Sequence, residues 1–309
     1  MGQQIWATNS LGGFLSNDEL SRQIRHISQT VQRFRQFVDP EPASGAGRGD
    51  NVFFNKISNI STAGGTLIET DTIPKRNFTI LQGTLTITEY GNSIPYTLKA
   101  RTLSEVDLPE IVKTVLRNDM AKVLDSAAAT QFTSTDYVAT VTNTATTTFG
   151  TAGTALATAG ANLSDKNHRD IVDQMKKLNI PTFDGENYIN ISSTNNIRGV
   201  YDFFEAKAQN TTMQPLYRGE IGQYYKARFI EETNFLSNVK GSNGLYGASV
   251  YLGSDAVREG IAMPEELRID IPKDFGRDQG VAWYSLLGFQ LVWDFTTDGD
   301  VRVVYVNSL

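Results

Sequence analysis

The sequence predicts a mixed α+β fold, and three observations lead to this prediction. Residues 104–132 place apolar side chains at helical spacing, whereas residues 51–101 alternate with a period of two. From residue 165 onwards short helical and strand patterns alternate, which is typical of a compact α+β or α/β domain. The 309 residues are enough to bury a large core without disulfides or metal ions.

Composition removes several classes of function. The chain has no cysteine, so disulfides, thiolate nucleophiles and cysteine-based metal sites are excluded. A net charge of -6 argues against direct binding of nucleic acid. No stretch approaches eighteen apolar residues and the N-terminal segment lacks the pattern of a secretory signal, so we expect no membrane span and synthesis in the cytoplasm.

The first predicted element is an amphipathic helix that runs from Ser16 to Val38. Ser16 and Glu19 form a capping box, and Asp39 ends the helix because Pro40 follows it. Its apolar residues recur at spacings of 4, 3, 4, 3 and 4. We call them the arm seam: Leu20, Ile24, Ile27, Val31, Phe34 and Val38. A Pro/Gly-rich connection follows, so we expect a tethered arm whose seam packs on a neighbouring molecule.

Residues 51–101 predict the strands of a long hairpin-like element. Thr84, Thr86 and Thr88 face one way, and Leu85 and Ile87 face the other. These residues contain too few bulky apolar side chains to form a core of their own. We expect the element to lean on another surface, either the core of the same chain or a neighbouring molecule.

The stretch that opens with Ser104 and Asp107 predicts a helix of about 26 residues, roughly 39 Å long. Pro109 suits its first turn. We call this helix the spine. Its predicted core face consists of Ile111, Val112, Val115, Leu116, Met120, Val123, Leu124 and Ala127.

The rest of the chain gives weaker signals. Residues 130–158 contain twelve threonines in twenty-nine positions, which predicts an exposed excursion. The last residues predict a hairpin that turns at Asp298-Gly299.

No residue pattern predicts catalysis or ligand binding. GxGxxG and GxSxG motifs are absent, and His26 and His168, which lie among charged residues, are expected to be solvated. The acidic pairs Glu231-Glu232 and Glu265-Glu266 are adjacent, so their members point to opposite faces of a strand. A turn explains the cluster of Asp294, Asp298 and Asp300, with a calcium site as the alternative. We therefore predict no catalytic residue, cofactor or metal.

Several segments together resemble a known family. They are FNKISNISTAGGTLIETDTIP, TLTITEYGNSIPYT, LRNDMAKVLDSAAATQF and RGEIGQYYKARFIEETN. Their content and order are similar to those of the major capsid proteins of tailed bacteriophages, which have the Hong Kong 97-type fold. The resemblance implies the following parts: an N-terminal arm (1–50), an extended β-hairpin loop (51–101), a peripheral domain with the spine and the Thr-rich stretch (102–164), an axial α/β domain (165–265) and return strands of the peripheral domain (266–309).

The resemblance also implies a function. Copies of the chain would form pentamers and hexamers, and these would build an icosahedral phage head around double-stranded DNA without reading its sequence. Scaffolding, portal and decoration proteins are further candidate partners. Some family members form cross-links between lysine and asparagine, and Lys56 and Lys75 lie in the corresponding element. Two alternatives remain: a hydrolase that uses acidic residues, and another lattice-forming protein such as a tail tube or cell-surface array subunit.

Overall fold

The structure of the protein is a computed structural model that describes residues 29–43, 49–58, 60, 64–70, 72–154, 158–200, 220–236, 248–271 and 274–308. The described helices are α1 (Leu98–Leu103), α2 (Leu108–Thr133), α3 (Asp165–Lys177), α4 (194–200) and α5 (Phe295–Asp298). The described strands are β1 (Asp39–Pro42), β2 (Asn51–Ile57), β3 (Ile80–Thr86), β4 (Thr88–Thr97), β5 (Val138–Asn143), β6 (Thr146–Gly150), β7 (Tyr188–Ser192), β8 (Glu220–Tyr224), β9 (Ala227–Glu231), β10 (Ala248–Leu252), β11 (Val257–Ile269), β12 (Asp278–Leu291) and β13 (Val303–Asn307). The mixed α+β class is confirmed.

The described strands form two sheets and a separate ribbon. One sheet has four strands in the order β1-β11-β12-β4, and the other has seven in the order β6-β5-β13-β10-β7-β9-β8. Among the described strands, β2 and β3 pair with each other and form an antiparallel two-stranded ribbon. The predicted strands between residues 51 and 101 are therefore present, but β4 leaves the ribbon and joins the four-stranded sheet beside β12.

The spine is α2, and its 26 residues agree with the predicted length. Pro109 lies in its first turn, as expected. The C-terminal half packs between the two sheets, where Leu124 and Phe132 contact apolar side chains from both. Toward its N-terminus, Leu116 packs with Trp283 of the four-stranded sheet. The spine therefore packs on both sheets through two apolar clusters, and Met120 packs against both of them.

The spine buries a somewhat different face from the predicted one. Leu116 and Leu124 are fully buried, as predicted. Ile111 and Val123 are half-buried, and Val115 is 43% exposed, so its place on the core face was wrong. The buried apolar side chains follow a spacing of four residues along most of the helix: Leu108, Val112, Leu116, Leu124, Ala128 and Phe132, with Ala129 beside them.

The Thr-rich stretch is not the exposed excursion that the sequence predicted. Its residues form β5 and β6 at one edge of the seven-stranded sheet, and β5 pairs in parallel with β13. Val138, Ala139 and Val141 are buried. Threonine suits such an edge because β-branched side chains fit a pleated, half-buried surface.

The closing hairpin is also a wrong prediction. β12 belongs to the four-stranded sheet, whereas β13 lies in the seven-stranded sheet between β5 and β10. Asp298-Gly299 does reverse the chain, but as the end of the short helix α5, where Gly299 has a left-handed φ of 69°. Glycine at this position avoids the steric penalty of its backbone conformation.

Candidate assembly surfaces

Exposed apolar side chains concentrate on the ribbon and on residues 58–79, which we call the ribbon loop. Of sixteen large apolar side chains exposed in the described residues, eight lie between positions 53 and 80. They are Phe53, Ile57, Ile60, Leu67, Ile68, Ile73, Phe78 and Ile80. So many exposed apolar side chains in one segment indicate an interaction surface.

The ribbon has one covered and one open face. Phe54 and Leu85 are buried and pack with Val292 of the body. Phe53 and Ile57 alternate with the covered residues and are 59% and 64% exposed. The alternation of side chains along a strand explains the division. The sequence left open whether the ribbon packs on the core of its own chain or on a neighbouring molecule. In the structure one face of the ribbon packs on its own chain, and the other face is exposed and available to a neighbour.

A buried ion pair fixes the base of the ribbon. The Lys56 Nζ atom lies 2.7 Å from each carboxylate oxygen of Asp298 and donates a 2.9 Å hydrogen bond to the carbonyl of Val292. Both side chains are almost completely buried. Lys56 therefore anchors the ribbon to α5. Asp298, for which the sequence analysis kept a calcium site as the alternative to a turn, binds the ammonium group of Lys56. Lys75, the second lysine named as a candidate for a cross-link, is exposed.

The described part of the arm is built differently from the sequence prediction. Residues 29–34 are not helical, and a single turn of 3-10 helix at Arg35–Phe37 leads into β1. Phe34 is fully buried, and its ring lies 5.6 Å from that of Phe132 on the spine, centroid to centroid. The seam thus enters the core of its own chain at Phe34 and Val38.

Charged contacts reinforce this anchorage. The guanidinium of Arg35 lies 2.8 Å from carboxylate oxygens of both Glu259 and Glu265. The backbone N–H of Arg35 donates a hydrogen bond to the carboxylate of Asp125. The hydrogen bond from Arg35 lowers the pKa of Glu265, although partial burial opposes the shift. Asp125 is buried on the spine, and burial raises the pKa of its carboxyl group.

The residues of the arm seam differ in where the structure places them. Leu20, Ile24 and Ile27 lie outside the described residues, so their packing on a neighbour stays a prediction. Val31 is 40% exposed, whereas Phe34 and Val38 belong to the core. The described part of the arm is therefore anchored in its own subunit at Phe34 and Val38.

Two truncations should separate these parts of the arm. Removing residues 1–28 should leave the fold intact, because it keeps the core contacts of Phe34 and Val38 and the ion pairs of Arg35. Removing residues 1–45 should also remove Phe34, Val38 and the ion pairs of Arg35. Loss of buried Phe34 alone costs about 3–5 kcal/mol, so we expect insoluble protein or a much lower melting temperature. Equal melting temperatures for the two truncations would contradict this assignment.

The candidate catalytic groups do not form a reaction centre. The Oε1 atom of Glu231 accepts from Thr194, while Glu232 accepts backbone N–H groups of residues 234–236. Glu265 bonds to Arg35, while Glu266 faces Arg268. The members of each pair point apart, as predicted. In the described part of the chain, no group of three His, Asp or Glu side chains could hold a metal ion.

His168 is buried, not solvated as predicted. Its Nδ1 lies 2.9 Å from the Tyr251 hydroxyl, and its Nε2 lies 3.1 Å from the Tyr224 carbonyl. A carbonyl can only accept, so Nε2 carries the proton and Tyr251 donates to Nδ1. Burial lowers the pKa of His168 to about 4. Its role is to tie α3 to β8 and β10. His26 lies outside the described residues.

Acid should destabilise the fold, because it protonates the buried His168. An unfolded chain protonates His168 near pH 6.5, but the folded chain does so only near pH 4, so stability falls as pH drops from 6.5 to 4. The two pKa values imply a loss of about 3 kcal/mol. We expect His168→Gln to be less stable than the wild type at pH 7 but to lose less stability on acidification. Urea unfolding at several pH values checks this, and parallel pH profiles would contradict it.

None of the described helices is long and apolar enough to span a membrane.

Comparisons with known proteins place the fold. No family model matches the sequence, and no curated protein matches it. Solved structures do. A structure described as the capsid of Ralstonia phage GP4 aligns with a TM-score of 0.66 over 100% of this chain and 99% of that one, at 13% identity. The capsid structure of cyanophage P-SCSP1u aligns with a TM-score of 0.66, at 12% identity, over 96% and 93% of the two chains.

A third similar structure is the acid-stable capsid of Helicobacter pylori bacteriophage KHP30. It has a TM-score of 0.62 at 14% identity and covers 94% of both chains. The chain therefore has the Hong Kong 97-like fold of tailed-phage capsid proteins, over nearly its full length.

Proposed function

We propose that the chain is the major capsid protein of a tailed bacteriophage. Copies assemble through pentamers and hexamers into an icosahedral head around double-stranded DNA. The observation that carries this proposal is the agreement in fold with phage capsid structures along nearly the whole of both chains. A shared core alone would support less, because one fold can serve many functions.

The exposed surface supports assembly independently of the fold. The outer face of the ribbon and the ribbon loop present apolar side chains that have no reason to face water in a monomer. Burying one such side chain against a neighbour contributes about 1.5–3 kcal/mol before ordering costs are subtracted. The Lys56–Asp298 pair fixes the direction in which the ribbon leaves the body. The ribbon therefore fits the role of a strap that crosses onto a neighbouring subunit.

The charge of the chain suits a container for DNA. With a net charge of -6, the wall makes few phosphate contacts, which would otherwise hold DNA strongly and oppose filling. No observation on the described residues favours a hydrolase, since the acidic pairs point apart. We assign no catalytic residue or cofactor, and we place the mature protein in the virion.

We assign the domains along the sheets. The four-stranded sheet and the spine form the peripheral domain, and the seven-stranded sheet forms the axial domain. Residues 138–150 and 303–307 then belong to the axial domain, because β5, β6 and β13 lie in its sheet. This shifts the boundaries that the sequence suggested at 102–164 and 266–309.

Negative-stain electron microscopy of the purified protein tests the function. We expect closed shells of uniform size, or rings of five and six subunits. The double variant Ile68→Ser/Ile73→Ser should remain folded but lose shells, while its matched control Thr70→Ser/Thr72→Ser should keep them. A strictly monomeric 34.1 kDa protein at all concentrations would contradict the proposal. Tubes or flat sheets would favour a different lattice protein.

A further inference from the structure

Three buried polar side chains lie on the face of the seven-stranded sheet that packs against α3 and α4. They are Asn190 and Ser192 of β7 and Ser249 of β10, and all three are completely buried. Tyr188 and Tyr251, two residues along the same strands, belong to the apolar cluster under these helices. Side chains alternate along a strand, so the three polar groups project into this cluster. We call them the polar layer.

Strand pairing brings the polar layer together. Ser192 lies directly opposite Ser249 across the antiparallel pair of β7 and β10, and Asn190 lies opposite Tyr251. Asn190 and Ser249 are therefore diagonal neighbours on one face, with Cβ atoms about 7 Å apart. The Ser192 hydroxyl donates a 2.5 Å hydrogen bond to Oδ1 of Asn190. At the diagonal separation, one small molecule can contact both Asn190 and Ser249.

Within the described residues, two atoms of the polar layer have no hydrogen-bond partner. They are Nδ2 of Asn190 and Oγ of Ser249, and neither is reached by solvent. Exchanging O and N of the Asn190 amide does not remove the deficit, because the Ser192 hydroxyl then bonds to Nδ2 and leaves Oδ1 alone. Buried polar groups in folded proteins are nearly always hydrogen-bonded, since an unpaired one is costly. The two atoms therefore require a partner that the described residues do not supply.

The chemistry of the two atoms defines this partner. An amide N–H can only donate and a hydroxyl can donate or accept, so the partner must be able to accept. Neither atom carries a charge, which favours a neutral partner. Glu231, opposite Ser192 on β9, is only half-buried and accepts from Thr194. The neutral molecule small enough for a closed layer between strands and helices is water, which in proteins usually bonds to about three such buried groups.

We propose that the polar layer binds one ordered water molecule, which accepts from Nδ2 of Asn190 and bonds to the hydroxyl of Ser249. The water joins β7 to β10 inside the seven-stranded sheet. It also favours the observed register, because a shift of β7 by one residue would turn Asn190 and Ser192 into the apolar cluster on the spine side of the sheet. The site lies within one chain, so it goes beyond the proposed function and does not depend on assembly.

A structure of the full chain at a resolution that shows ordered water tests the site, in monomers and in assembled particles alike. We expect density roughly 2.7–3.2 Å from the amide of Asn190 and from the hydroxyl of Ser249. A map that shows water at other buried positions but none here would overturn the inference. The same holds for a protein group that bonds to both atoms, or for density roughly 2.3–2.6 Å from Ser192 and Glu231, which indicates a metal ion.

Urea unfolding provides a second test, with Asn190→Ala, Ser249→Ala and the double variant. Either single substitution releases the same water, so the double variant should shift the midpoint by clearly less than the sum of the single shifts. Asn167→Ala is the control, because Asn167 is completely buried but its Nδ2 already bonds to the Asn143 carbonyl and the Thr147 hydroxyl. Its shift should add to that of Asn190→Ala. Additive shifts for Asn190 and Ser249 would contradict a shared water.

Discussion

Leu116→Asp should prevent the chain from folding. Leu116 is completely buried on the spine, within the cluster that contains Trp283. The substitution loses about 2–5 kcal/mol of apolar packing and adds several kcal/mol for an unpaired buried charge. The sum is comparable with the whole stability of a typical domain, about 5–15 kcal/mol. We expect protein only in the insoluble fraction after expression at 37 °C.

Val115→Asp is the matched control, since it introduces the same charge at the residue that precedes Leu116. Val115 is 43% exposed, so its charge stays hydrated and the effect should be within about 1 kcal/mol. Thermal unfolding of the soluble variants provides the measurement. Similar melting temperatures for the two variants would mean that the face of the spine is assigned wrongly.

Lys56→Met should destabilise the chain by about 3–5 kcal/mol, because it leaves the carboxylate of Asp298 buried without its cation. The ion pair is a buried polar contact that holds the ribbon to the body. The double variant Lys56→Met/Asp298→Asn should recover much of the loss, since an amide oxygen can still accept from the backbone N–H of Asp294.

Urea unfolding followed by circular dichroism measures both variants. Lys75→Met is the control, because it changes an exposed lysine of the ribbon loop and should shift the free energy of unfolding by less than about 0.5 kcal/mol. A loss below about 1 kcal/mol for Lys56→Met would show that the pair is not the anchor of the ribbon.

Local patterns predict the main elements correctly. The spine and the ribbon strands follow from apolar spacing, capping and proline position, which act within a few residues. The order of these elements along the chain is enough to indicate the capsid fold. The exposed apolar residues of the ribbon are harder to recognise as a set, because the sequence shows their hydrophobicity but not which face of the ribbon the body covers.

Sequence predictions fail where distant residues decide the outcome. His168 lies between charged neighbours, which favours solvent exposure, yet it shares a buried face of α3 with Ile171, Val172 and Met175. Their spacing of three, four and seven residues from His168 is the signal that reveals this face. The Thr-rich stretch has few large apolar groups, which favours exposure, but β13 provides its partner from the far end of the chain.

The arm shows the same limit. Its apolar periodicity favours a helix through Val38, but Phe34 fits between Phe132 and Phe235, and this aromatic packing overrides local helical preference. The contacts of Arg35 with Glu259 and Glu265 also join residues far apart in sequence. Such contacts cannot be inferred from spacing.

A cryo-electron microscopy reconstruction of particles assembled from this chain tests the central claim most directly. We predict an icosahedral shell in which Ile68, Ile73 and Phe78 of each ribbon loop are buried against a neighbouring subunit, while Lys56 remains paired with Asp298 of its own chain. Particles without icosahedral symmetry, or a shell in which the ribbon loop contacts only its own subunit, would contradict the account.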